Sequence, residues 1–241
     1  MITTVTNLGC WNGYGLVRLQ ARRSPAGYCS TTCRRSLEYR STTVSRTGSI
    51  LVVCTGNVCR SPYLERRLRH ELAATGIAVA SAGTKALAGL EMDDGTRERL
   101  DAAGIDASGF RARQLTADMV SRADLVLAAA REHRTAVAQL HPAALRRVFT
   151  VRDFADLVDG LTAVDPESDP LADLDASWVR HVAAAGARRR GAIVTRQSGV
   201  DVTDPIGGPP SAFRQMAHEL DAALGPIVRA LRDLPGSPRS E

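Results

Sequence analysis

Apolar residues along this chain fall into short blocks separated by longer amphipathic stretches. Ile50, Leu51, Val52 and Val53 form one such block, bounded by Cys54, and predict a buried strand over 50–54. Further strands are predicted over 77–81, 124–129 and 147–151, and helices over 61–75, 93–103, 131–139 and 211–233. Strands alternating with helices predict an α/β three-layer sandwich, with a central, mainly four-stranded parallel sheet flanked by helices. Such sheets bind ligands at the carboxyl ends of their strands, and Cys54 stands at such an end. Residues 159–203 are less regular. Asp165-Pro166 and Asp169-Pro170 are turn signals, 176–189 reads as a helix and 190–203 as a loop. No internal repeat is found.

The turn after the first strand carries the chemistry. Cys54, Thr55, Gly56, Asn57, Val58 and Cys59 form a short loop, and Arg60 and Ser61 open the helical segment that follows. A loop crossing from a buried strand to a helix N-terminus points backbone N–H groups inward, where they and the helix dipole favour a dianion such as phosphate. The same field favours an ionised sulfur on Cys54, and thiolate is the nucleophilic form of cysteine. Arg60 can fork onto two oxygens of a bound phosphate. Gly56 and Asn57 both tolerate positive φ, which lets the loop tighten. Spacing alone is a weak signal, because Cys29 and Arg35 repeat it. That pair lacks a preceding apolar run, a loop glycine and a following amphipathic helix.

From Val53 to Pro62 the chain resembles the active-site loop of the low-molecular-weight protein tyrosine phosphatases, bacterial type. The likeness continues through Ser81-Ala82-Gly83-Thr84, through Ala112-Arg113-Gln114-Leu115-Thr116 after a Gly104-Ile105-Asp106 turn, and through Ala123-Asp124-Leu125-Val126-Leu127. Asp204-Pro205 before the last helix extends it over about residues 48–233. The resemblance implies hydrolysis of phosphotyrosine, an aryl phosphate monoester, through a phosphocysteine on Cys54. Arg60 and the loop from Thr55 to Cys59 would hold the phosphoryl oxygens, Ser61 would hydrogen-bond the sulfur, and Asn57 would brace the loop through Ser81. Asp204 stands where the family keeps its general acid, while Asp165 and Asp169 read as turn initiators. The paired Cys54 and Cys59 imply a reversible disulfide that protects the nucleophile from over-oxidation.

The departures from the family pattern concern the walls of the site. Phe110 stands where many members place a loop-buttressing histidine, and Ile206 where many place a pocket-lining tyrosine. Leu87 replaces an aromatic frequent in animal members and resembles the bacterial subgroup acting on tyrosine kinases of exopolysaccharide export, so such a kinase is the implied partner. Few aromatic walls remain for a phenyl ring. Two other readings use the same residues: a small-thiol-dependent arsenate reductase, since the anion loop discriminates weakly among tetrahedral oxyanions, and a non-catalytic phosphotyrosine-binding protein. A thioredoxin-coupled arsenate relay needs two further cysteines, and none follows Cys59.

Charge changes this picture little. The chain carries +5, but residues 1–48 hold seven arginines against Glu38 alone, a net +6 that leaves −1 for the remainder. The predicted domain over 49–234 thus has no general attraction for polyanions, and no nucleic acid is expected as a partner. Residues 1–48, with Cys10, Cys29 and Cys33, show no sustained periodicity and read as a disordered extension, as does the tail 235–241. The N-terminus lacks the charged start and apolar core of a signal peptide, and no apolar run approaches membrane-spanning length. A reducing cytoplasm is the expected location. The five histidines (70, 133, 141, 181 and 218) lack metal-ligand spacing, and neither a metal nor a cofactor is expected.

Overall fold

The structure, a computed structural model, describes residues 48–161, 176–190 and 199–232. The expected N-terminal extension through residue 47, the tail, and the turn signals at Asp165 and Asp169 lie outside the described residues. In chain order the elements are β1 (Ser49–Cys54), α1 (Arg60–Glu71), β2 (Ala78–Gly83), α2 (Asp94–Ala102), α3 (Ala117–Arg122) and β3 (Leu125–Ala128). They continue with α4 (Arg131–Leu140), β4 (Val148–Thr150), α5 (Val151–Val158), α6 (Trp178–Arg189) and α7 (Pro210–Arg232).

The four strands form one parallel sheet in the order β2-β1-β3-β4. Successive strand side chains point to opposite faces, so the apolar run of β1 is divided between two layers. Ile50, Val52 and Cys54 join a core built with Leu64 and Leu68 of α1, Phe154 of α5, Val182 of α6 and Leu224 of α7. Leu51 and Val53 join the other layer, with Val120 of α3 and Val137 of α4. Burial on both faces is why β1 reads as a continuous apolar run rather than an alternating one. No helix among the described residues is long and apolar enough to cross a membrane.

Several boundaries differ from expectation for identifiable reasons. The helix expected over 61–75 stops at Glu71, and a 3-10 turn over Ala73–Thr75 is closed by Gly76 at φ 74°, the left-handed conformation glycine accepts without strain. Two helices were not predicted. α3 has six residues, too few to show a period, and is marked only by Thr116, whose side chain accepts the Met119 N–H. α5 follows β4 without a connecting residue, so the apolar stretch expected as a strand to 151 turns into a helix at Val151. Thr150 serves both elements, ending the strand while its hydroxyl caps α5 through the Asp153 N–H.

Candidate active site

The loop from Cys54 to Cys59 leaves β1 at the carboxyl edge of the sheet. Its tightness rests on Asn57, which sits at φ 57°. Asparagine holds this left-handed conformation because its short amide bonds locally. Asn57 Nδ2 donates to Ser61 Oγ at 2.9 Å and to Ser81 Oγ at 2.8 Å, and its Oδ1 accepts the Arg113 N–H at 2.9 Å. The end of β2 runs alongside, with the Thr84 and Lys85 N–H groups donating to the carbonyls of Cys54 and Thr55. Gly83 passes so close that a Cβ there would lie 2.4 Å from the Thr55 carbonyl oxygen, so no larger residue fits without displacing the loop.

Cys54 is buried, with Sγ 2.9 Å from Ser61 Oγ and accepting the Asn57 N–H at 3.3 Å. α1 opens at Arg60 and has no acidic residue in its first turn, so its own side chains leave the positive end of its dipole uncompensated. The buried Arg60 donates through Nη2 to Asp204 Oδ2 at 2.7 Å and to Thr55 Oγ1 at 3.3 Å. Its Nε is buried and makes no hydrogen bond among the described residues. A buried guanidinium donor left over beside a sulfur and a helix N-terminus suits a tetrahedral oxyanion. Gly56, Val58 and Cys59 are buried in the same loop. Burial, followed by the Asp93 carboxylate, pushes the Cys59 thiol up to about 12, so it keeps its proton at neutral pH. Cys54 and Cys59 are both free thiols.

Asp204 reaches this loop from 144 positions beyond Arg60, and three anchors hold its segment. Asp201 accepts the Arg131 N–H at 2.7 Å and both Nε and Nη2 of that guanidinium, tying the segment to the start of α4. Val202 N–H donates to the Ala129 carbonyl just past β3. Thr203 donates through N–H and hydroxyl to Glu219 of α7 at 2.8 and 3.0 Å. Burial alone would raise Glu219, but the Thr203 N–H, Gln215 and the Thr203 hydroxyl outweigh it and hold the carboxyl below its ordinary range. Sequence reasoning passed over Asp201, Arg131 and Glu219, because each is an ordinary charged residue outside any motif. At the mouth, Leu87 and Ile206 are about half exposed and flank Gly56, whose added Cβ would meet them at 3.7 and 3.8 Å. The rim beside the loop is therefore aliphatic.

His133 is the other residue the sequence reading missed, having been considered only as a metal ligand. It is buried on α4, with Nε2 2.8 Å from Thr55 Oγ1. Burial first, and then the Arg60 guanidinium, hold its imidazole below the ordinary 6.5, against the opposing pull of Glu132. The unfolded chain therefore binds this proton more readily than the folded one, so stability falls as pH drops below the ordinary histidine value. Denaturant midpoints measured from pH 7 down to about 5 should show this decline, and His133→Gln should flatten it. An unchanged slope in the variant would remove His133 as its source.

Over residues 49–184 the chain matches the family model described as low molecular weight phosphotyrosine protein phosphatase. It is 38% identical over 144 residues to the probable low molecular weight protein-tyrosine-phosphatase EpsP of Ralstonia nicotianae, a match covering 57% of this chain and 98% of that protein. It is also 27% identical over 183 residues to a protein-arginine-phosphatase of Geobacillus stearothermophilus, covering 76% of this chain and 95% of that one. Among solved structures, the tyrosine phosphatase AmsI of Erwinia amylovora aligns with a TM-score of 0.55 at 26% identity, over 80% of this chain and 97% of that chain.

Proposed function

Because this chain belongs to the low molecular weight phosphotyrosine protein phosphatase family, we propose that it is a protein-tyrosine phosphatase with Cys54 as nucleophile and Asp204 as general acid. The observation that carries this reading is the convergence of three groups on one loop. The Cys54 sulfur lies at the N-terminus of α1, the buried Arg60 has an unpartnered Nε–H, and Asp204 stands 2.7 Å from that guanidinium.

Phosphoryl transfer needs positioning and charge neutralisation more than elaborate covalent chemistry. Arg60 and the N–H groups of the loop take the non-bridging oxygens of the phosphoryl group. An incoming dianion competes with Asp204 for Arg60, which frees the carboxyl to face the leaving oxygen in protonated form. The Cys54 thiolate attacks phosphorus, the S–P bond forms as the P–O bond breaks, and Asp204 gives its proton to the departing phenolate. In the second step Asp204 takes a proton from water as that water attacks phosphorus. The sulfur then leaves as thiolate, stabilised by the Ser61 hydroxyl 2.9 Å away. The substrate is a phosphotyrosine protein, with a bacterial tyrosine kinase as candidate partner, and the thiol chemistry suits a reducing cytoplasm. No step calls for a cofactor or metal.

Reduced, purified chain mixed with a phosphotyrosyl peptide should release inorganic phosphate, and rapid acid quenching should trap a phosphoryl group on the Cys54 peptide, read by mass spectrometry. Turnover of phosphoarginine without turnover of aryl phosphate would move the substrate class. Arsenate-dependent consumption of a small thiol would favour a reductase, and tight phosphopeptide binding without phosphate release would favour a binding protein. A folded chain that does none of these leaves the phosphatase assignment without support.

A further inference from the structure

Glu65 lies in the second turn of α1, is 3% exposed, and has no part in the mechanism above. A buried acid is costly to desolvate, and an apolar residue would fill the position at lower cost. Its contacts show what it supplies. Oε2 accepts from Ser81 Oγ at 2.5 Å, and Oε1 pairs with Arg69 Nη2 at 2.8 Å, one turn along the same helix. Resting on the phosphatase reading, we propose that Glu65 is a positioning residue that fixes the direction of the hydrogen bonds ending at the Cys54 sulfur.

The argument is one of proton counting. An ionised carboxylate only accepts, so the single hydroxyl proton of Ser81 points to Glu65. Ser81 Oγ is then an acceptor toward Asn57, and the amide nitrogen must face it at 2.8 Å. The Arg113 N–H on Oδ1 requires the same amide orientation. The second proton of Nδ2 goes to Ser61 Oγ at 2.9 Å, which makes Ser61 an acceptor there and leaves its own proton for Cys54 Sγ at 2.9 Å. The Asn57 amide thus donates both ways, toward Glu65 through Ser81 and toward the sulfur through Ser61, and the second branch ends by donating to the sulfur, the arrangement that stabilises a thiolate.

Ser81, Asn57 and Ser61 are all at 0% exposure, so the relay between the carboxylate and the sulfur is shielded from solvent. Glu65 pairs with Arg69 on its own helix, and from the segment before α3 Arg113 reaches the same serine, its Nε donating to the Ser81 carbonyl at 2.6 Å. The charged and titratable groups around the sulfur are Arg60, Cys59, Asp204 and, through Thr55, His133.

Glu65→Gln keeps the shape but turns its carbonyl to Arg69 and presents an N–H donor to Ser81, which removes the acceptor of the Ser81 proton and with it the constraint on the Asn57 amide. The readout is the rate of Cys54 alkylation by iodoacetamide across pH, followed on the Cys54 peptide by mass spectrometry. The half-maximal point should move to higher pH in the variant, so that alkylation on the acid side slows roughly tenfold, the worth of about one hydrogen bond to a charged group. In a Ser61→Ala background the same substitution should add nothing, because the relay is already cut at its last link. An unchanged profile, or equal shifts in both backgrounds, would overturn the proposal. Faster alkylation of Cys54 and Cys59 together would do so too, because it would mark a merely loosened fold. Should Glu65→Gln fail to fold, Ser81→Ala interrupts the same relay and carries the same two expectations. Alkylation needs no turnover, so a chain without phosphatase activity still answers the question, and that absence would count against the phosphatase reading alone.

Discussion

Serine at position 54 should end phosphate release from a phosphotyrosyl peptide, by at least ~10⁴-fold, while leaving the fold in place. A serine hydroxyl keeps its proton at neutral pH, and neither hydrogen-bond partner at this position, Ser61 Oγ or the Asn57 N–H, is a base that would remove it. The contacts of the sulfur, Ser61 Oγ at 2.9 Å and the Asn57 N–H at 3.3 Å, are ones a hydroxyl also makes, so the change in stability should stay within about 1 kcal/mol. Arg60 and the loop N–H groups are untouched, and inorganic phosphate should still bind Cys54→Ser in equilibrium titration. Three measurements check this: phosphate release, thermal denaturation and phosphate binding. Turnover surviving in a folded Cys54→Ser chain would place the nucleophile elsewhere. Cys59 is a poor substitute, because burial keeps it protonated, up to about 12.

The second large effect is expected at Asp204. Asp204→Asn retains the size and the hydrogen bond to the Ile206 N–H but cannot give up a proton as a carboxylic acid does. Turnover of phosphotyrosine should fall by roughly 10²–10³-fold, the usual worth of a positioned acid. The deficit should shrink steadily along a series of aryl phosphates as the leaving phenol becomes more acidic and needs the proton less. Stability should hardly change, since Asp204 is 49% exposed and its ion pair with Arg60 is open to solvent screening on that side. A loss of the same size for every leaving group would mean that Asp204 acts by holding Arg60 rather than by proton transfer.

The parts of the molecule legible without coordinates are those in which neighbouring residues make the structure. The unbroken apolar block Ile50–Val53 indicates a strand buried on both faces, and both core layers do take residues from it. The loop that follows is short enough for its chemistry to be local, with Cys54, Asn57 and Arg60 within seven consecutive positions. What escaped the reading has no periodic or motif signal. α3 is too short to show an amphipathic face, and α5 begins inside an apolar run that a strand would use equally well. Tertiary packing, not propensity, resolves such a run.

Residue types and spacing along a dozen positions state that an anion loop with a thiol exists, because the helix dipole, the loop N–H groups and the arginine come from one continuous stretch of chain. How Asp204 meets Arg60 across 144 positions is a different kind of fact. It depends on Asp201, Val202 and Thr203 finding α4, the end of β3 and α7, contacts between residues whose sequence neighbours carry no sign of them. The same holds for Glu65 and His133. Each is an unremarked polar residue on a helix until the sheet sets one behind Ser81 and the other against Thr55, where burial leaves their hydrogen bonds no competitor in water.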